Sequence, residues 1–162
     1  MTIERIPMTT TLRAATTADQ PIITQLVRSE RLNPMGLAWK NFLVAEETSS
    51  KQIMGIGQLR PHRDGTVELA SLVVMPAARG TGVGSLLVNA LIAKADHPLY
   101  LMCERGKVPY YQRFGFEDIP HRRDMPRSLR PMHRIATIMG AIVALFQNDP
   151  PRIAIMAHRG ER

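Results

Sequence analysis

"MPAARGTGVGSLLVNALIAKA", residues Met75–Ala95, sets three alternating glycines, Gly80, Gly82 and Gly84, behind an arginine and at the mouth of an apolar run. The residues before it, "TVELASLVVMP", end in "LVVM", as apolar as a strand covered on both faces. From Gly82 the period changes: Val83, Leu86, Leu87, Ala90 and Leu91 recur as i, i+3, i+4, i+7 and i+8, the spacing of an amphipathic helix. "PLYLMC" (Pro98–Cys103) then reads as a strand again. A helix between two strands predicts a crossover and therefore a parallel pair.

A helix N-terminus exposes unpaired N–H groups and carries the positive end of the helix dipole. Glycines there let a ligand approach the backbone closely. "RGTGVGS" (Arg79–Ser85) therefore predicts a pocket of N–H donors with the charge of Arg79 beside it, suited to a pyrophosphate. A tight strand-to-helix turn with no ligand needs one glycine rather than three.

Upstream, "TLRAAT" (Thr11–Thr16) reads as a short strand. It is followed by a helix that Asp19 can cap and Pro21 can start, with Ile22, Ile23, Leu26 and Val27 on one face. "NPMG" (Asn33–Gly36) breaks that helix. "NFLVAEE" and "QIMGIGQLR" are strand candidates, and "PHRDG" (Pro61–Gly65) predicts a hairpin turn into the third strand. Downstream, "KVPYYQRF" is a short helix candidate weakened by Pro109, and "GFEDI" a short strand. "RSLRPMHRIATIMGAIVALFQ" (Arg127–Gln147) is long and apolar enough for a helix, and "RIAIMAHR" (Arg152–Arg159) is the last strand.

The chain has 162 residues, which predicts one domain, 1–162, with 1–9 as a flexible lead and 120–150 as a helical insertion. Apolar residues at 44% and charged ones at 22% fit a soluble globular protein. No stretch approaches the ~20 apolar residues of a membrane span, and the first residues lack the apolar core of a signal peptide. One cysteine, Cys103, excludes an internal disulfide and a cysteine-based zinc cluster, and predicts a cytoplasmic protein. The five histidines, His62, His97, His121, His133 and His158, show no metal spacing, so no metal is expected. A net charge of +7 predicts attraction to anions, and much of it is concentrated in "HRRDMPRSLRPMHR" (His121–Arg134). That segment has almost no aromatic interleaving, which argues against nucleic acid as a partner.

Two phosphate motifs do not fit. A P-loop needs Gly-Lys-Ser/Thr, and the lysine is missing; a dinucleotide fingerprint needs another third-glycine spacing and a later acidic residue. Arg79-Gly80-Thr81-Gly82-Val83-Gly84 does satisfy Q/R-x-x-G-x-G/A, and so resembles the signature of the GNAT superfamily of N-acetyltransferases. "VPYYQRFGFED" resembles that family's Tyr-x-x-x-Gly-Phe ending, here Tyr111 to Phe116. Together the matches cover Val67 to Asp118.

The resemblance implies an α/β (α+β) fold: a mixed, mostly antiparallel central sheet with one parallel, splayed strand pair and helices on both faces. An extra helix would be inserted before the last strand. It implies acetyl-CoA as co-substrate, its pantetheine arm on the backbone of Leu72, Val73 and Val74. The pyrophosphate would sit on Gly80, Thr81, Gly82, Val83, Gly84 and Ser85, beside Arg79. The acetyl group would pass directly to a primary amine in a ternary complex, with a backbone N–H near Val74 facing the oxyanion. Tyr111 takes the position of the general acid that protonates the leaving thiolate, or else is a packed aromatic. Glu68 and Glu104 are the candidate bases, and either can equally be a solvated carboxylate. Tyr110 reads as structural and Cys103 as core. Trp39 reads as core or as a wall of the acceptor pocket.

The chain departs from the family where some 30 residues separate "GFEDI" from "RIAIMAHR". The helix there predicts packing on the domain's own sheet, ahead of a homodimer contact or a membrane-surface helix. The alternative to an enzyme is a non-catalytic acyl-CoA sensor or interaction module of the same fold.

Overall fold

In a computed structural model, residues 9–146 and 152–160 are described. Most of the proposed flexible lead and the end of the helical insertion, residues 147–150, lie outside them.

Among the described residues the strands are β1 (Thr10–Ala14), β2 (Phe42–Glu47), β3 (Ile53–Pro61), β4 (Val67–Val74), β5 (Leu99–Glu104), β6 (Glu117–Asp118) and β7 (Ile153–His158). The helices are α1 (Gln20–Ser29), α2 (Val83–Lys94), α3 (Val108–Gln112) and α4 (Arg130–Ala144). The strands form one sheet in the order β1-β2-β3-β4-β5-β7-β6. β4 and β5 are parallel, in register over Val67–Leu69 against Leu99–Leu101, whereas β1–β2, β2–β3, β5–β7 and β6–β7 are antiparallel. The predicted crossover is therefore present, and the sheet is mixed and mostly antiparallel.

The chain divides into two compact units: residues up to Gln58 with Ser71–Leu91, and Leu59–Ala70 with Ile92 onward. In the first, period-2 alternation decides which helix each strand residue meets. Phe42, Val44, Ile56 and Val73 pack with Ile23, Leu26 and Val27 of α1. Leu43, Ala45, Met54, Leu72 and Val74 pack with Val83 and Leu87 of α2. Burying each such α1 side chain is worth about 1.5–3 kcal/mol. Within this unit the two helices thus cover opposite faces.

Two expectations change in detail. The Asp19 side chain does not cap α1. It accepts from the Thr16 N–H at 2.7 Å and from both terminal nitrogens of Arg13, at 2.8 and 3.0 Å, so it closes the 3-10 turn before the helix. The buried face of α2 is Val83, Leu87, Val88 and Leu91, while Leu86 is exposed. Gly55 and Gly57 on β3 leave room for that face. A Cβ at Gly55 would lie 3.0 Å from Leu87 Cδ1, and one at Gly57 2.9 Å from Leu91 Cδ1.

In the second unit, the β3–β4 turn closes through His62 N–H to Thr66 O at 2.8 Å, with Gly65 at φ +83°. Asp64 accepts from Thr66 N–H and Ser128 N–H, both at 3.0 Å. Ile119, Met125, Leu129, Ile155 and Ala157 form a core that anchors the start of α4. Beyond that anchor α4 lies against β7 but buries only Gly140, and Ile135, Ile138, Met139 and Ile142 are exposed. The helix thus packs on the domain's own sheet through the side that carries Gly140, while these apolar positions face away from it.

Candidate active site

β4 ends at Val74, and a 3-10 turn, Pro76–Ala78, leads into the glycine segment. Gly80 and Gly82 have φ of +76° and +91°, the left-handed region that a side chain disfavours. Gly84 lies inside α2. A Cβ at Gly80 or Gly82 would meet no protein atom within 4 Å. Two of the three glycines are thus demanded by the backbone, and the space over them is open.

Thr81 turns its N–H and its hydroxyl back onto Ala78 O. The bond from Leu86 N–H to Gly82 O, at 3.0 Å, belongs to the first turn of α2. The N–H groups of Gly82, Val83, Gly84 and Ser85 precede it and have no acceptor inside the helix. Alternating left-handed residues ahead of such a turn make a concave nest of N–H donors that favours an anion. Val83 places its side chain in the core, so only its backbone can serve a ligand.

Arg79 is not a free charge beside this nest. Its Nε donates to Val74 O at 3.1 Å and its Nη2 to Glu30 Oε1 at 3.1 Å. Leu72, Val73 and Val74 follow Ser71, which has φ +52° inside a strand and accepts from Gln58 Nε2 at 2.9 Å. A left-handed residue breaks the pleat, and the β4–β5 register ends just before it, at Leu69. Sequence reasoning passed over Ser71. Its signal was a polar residue within the apolar run "LASLVV".

In the second unit, Tyr111 sits on α3, buried, with its ring edge-on to Tyr110 at 5.0 Å and to Phe116 at 6.1 Å. Pro109 fits because it occupies the first turn of α3, where no N–H is missed. Burial pushes the phenol above its ordinary range, and nearby Cys103 adds to this. Tyr110 stacks under the Arg113 guanidinium, 4.8 Å from its ring centroid. Cys103 is buried as expected, its thiol 4.0 Å from Met156 Sδ and pushed up to about 11 by burial.

Glu68 is no solvated carboxylate. It is buried, accepts from Arg60 Nη1 at 3.3 Å, and lies 2.9 Å from His62 Nε2. Arg60 and His62 were not singled out from sequence. Their signal was a spacing of two at the end of β3, with Arg60 on the strand and His62 just beyond it. Glu104 is exposed at the end of β5. Trp39 is not core. It is exposed in a 3-10 turn, and its backbone N–H donates to Gln20 Oε1 at 2.9 Å. Among the described residues no group of His, Cys, Asp or Glu could hold a metal ion.

Residues 38–118, half of the chain, match the model of the acetyltransferase (GNAT) domain. The chain belongs to the GNAT acetyltransferase family. Solved structures similar to it include N-acetylglutamate synthase from Neisseria gonorrhoeae, complexed with coenzyme A and L-arginine, at 20% identity and a TM-score of 0.70. That similarity covers 94% of this chain and 34% of the synthase, so the chain spans about a third of that protein. Rv2747 from Mycobacterium tuberculosis, solved with CoA and NLQ, is 22% identical with a TM-score of 0.68 over 93% of this chain and 99% of its own. The ribosomal-protein-S18-alanine N-acetyltransferase from Escherichia coli is 15% identical with a TM-score of 0.59, covering 93% and 94%. No curated protein sequence matches. These likenesses show the GNAT fold, which the glycine segment and the Tyr-x-x-x-Gly-Phe ending had pointed to.

Proposed function

We propose that this protein is an acetyl-CoA-dependent N-acetyltransferase acting on a primary amine. The observation that carries the reading is the start of α2, where the family's motif coincides with two left-handed glycines and open space above them, at a helix start whose first N–H groups have no intrahelical acceptor. The 3′-phosphorylated, pyrophosphate-bearing coenzyme supplies an activated acetyl thioester. The N–H groups of Gly82 to Ser85 would receive its pyrophosphate, Thr81 having turned its own N–H onto Ala78 O, and the backbone of Leu72 to Val74 its amide arm.

The amine nitrogen forms a bond to the acetyl carbon, the carbon–sulfur bond breaks, and the sulfur leaves as a thiolate that needs a proton. Tyr111, kept protonated by its burial, would supply it. The amine must lose a proton before attack. Glu68, held by Arg60 and His62, and Glu104, solvent-exposed, are the carboxylates we propose for that step. No described helix is long and apolar enough to cross a membrane. The lone, buried Cys103 accords with a reducing, cytoplasmic setting.

Calorimetric titration with acetyl-CoA, followed by thiol-release assays over a panel of amino acids, small amines and peptides, tests this. Binding together with thiol release that depends on the amine supports the reading. Binding without release from any amine would leave a sensor, and no binding would overturn it.

A further inference from the structure

Six large apolar side chains on and just after α4 face solvent: Ile135, Ile138, Met139, Ile142, Leu145 and Phe146. Their spacing of three and four residues puts them on one side of the helix, within about 120° of arc. Leu145 and Phe146 are 78% and 83% exposed, so the stripe grows more open toward its end. Gly140, the buried residue of α4, lies ~160° around the axis from the middle of the stripe. The helix therefore already has its protein-facing side, and the stripe is a second, unpartnered one.

The charge at its start is mostly positive, with one acid, Asp124, 3.9 Å from Arg123 Nε. Residues 121–134 hold five arginines, Arg122, Arg123, Arg127, Arg130 and Arg134, against one acid, Asp124. Arg130 is spent on the carbonyls of Met125 and Arg123, both at 2.9 Å. Arg122, Arg123, Arg127 and Arg134 are exposed. From Ile135 to Phe146 there is no charged residue at all. An apolar stripe with arginines at one end is the pattern of a helix that lies in a lipid interface. At 15 residues α4 is about 22 Å long, too short to span a bilayer and suited to lie along it.

We propose that α4 and its arginine-rich lead dock this protein on an anionic membrane surface. Ile135, Ile138, Met139, Ile142, Leu145 and Phe146 enter the acyl boundary, while Arg122, Arg123, Arg127 and Arg134 meet lipid phosphate. A second copy of the chain suits the face less well. Pairing two stripes covers the apolar side chains, but α4 carries no acid to receive its partner's arginines.

The test is co-sedimentation of the full chain with phosphatidylcholine vesicles, with and without phosphatidylglycerol. The expected result is binding to the anionic vesicles alone, weakened by salt. Each Arg→Ala change at Arg123, Arg127 or Arg134 should weaken it about fivefold. Ile138→Glu with Ile142→Glu should abolish it while acetyl-CoA affinity and the circular dichroism spectrum stay unchanged. Failure to bind anionic vesicles would overturn the proposal, as would binding that survives the double glutamate variant. So would a particle of twice the chain mass that the same variant splits, since a second copy would then be the occupant.

Discussion

Arg79 Nε donates to the carbonyl of Val74, 3.1 Å away, and so ties the glycine segment back to the end of β4. The same guanidinium holds Glu30 through Nη2. An arginine used this way fixes where the nest of N–H groups stands before it offers any charge to a ligand. Arg79→Ala should weaken acetyl-CoA binding by about tenfold in calorimetry, the loss of a charged hydrogen bond. Arg79→Lys should not restore it, because a single ammonium cannot copy the two-directional fork. Glu30→Gln should change stability by less than ~1 kcal/mol, since that pair is exposed.

Gly80 and Gly82 separate backbone strain from ligand space. Gly82→Ala places a Cβ at φ +91°, which should cost about 1–2 kcal/mol in urea unfolding. That Cβ meets no protein atom but enters the open space over the helix start. Acetyl-CoA affinity should fall, measured by calorimetry at a temperature where the variant is still folded. A variant that is destabilised yet binds normally would show that the open space is not the coenzyme's.

Tyr111 carries its own pH prediction. Burial raises the phenol, so the acid form persists through neutral and mildly alkaline solution. Rates should not decline from its ionisation below about pH 10. Tyr111→Phe should lower kcat by about 10²-fold or more with little effect on the melting temperature. Unchanged turnover would return Tyr111 to the role of a packed aromatic.

Asp19 marks an acid limit to stability. The two bonds from Arg13 hold its carboxyl down to about 2, against 3.8 when free. A depressed carboxylate contributes fully above its unfolded value and loses that contribution as pH falls from about 4 toward 2. Asp19→Asn should cost about 1–2 kcal/mol at neutral pH, and its unfolding free energy should lose less than the parent's over that window.

The amino-acid sequence alone determined the local plan. The switch from period 2 to period 3.6 at Gly82, the glycines before it and the Pro61–Gly65 turn all act through neighbours in the chain, so the crossover and the helix start were legible. The sequence could also say that α4 is a helix with apolar side chains. Only the tertiary structure decided the rest, because partners distant in sequence set it. Asp19 does not cap α1 because Arg13 holds its carboxylate, and Glu68, by sequence a candidate base or equally a solvated carboxylate, is buried against Arg60 and His62. Ser71 takes a left-handed φ where Gln58 meets it, at the point where β4 leaves its register with β5. Period 3.6 says that a helix has an apolar side, and only packing says whether anything covers it. Gly140 turned inward, and the isoleucines of α4 were left facing solvent.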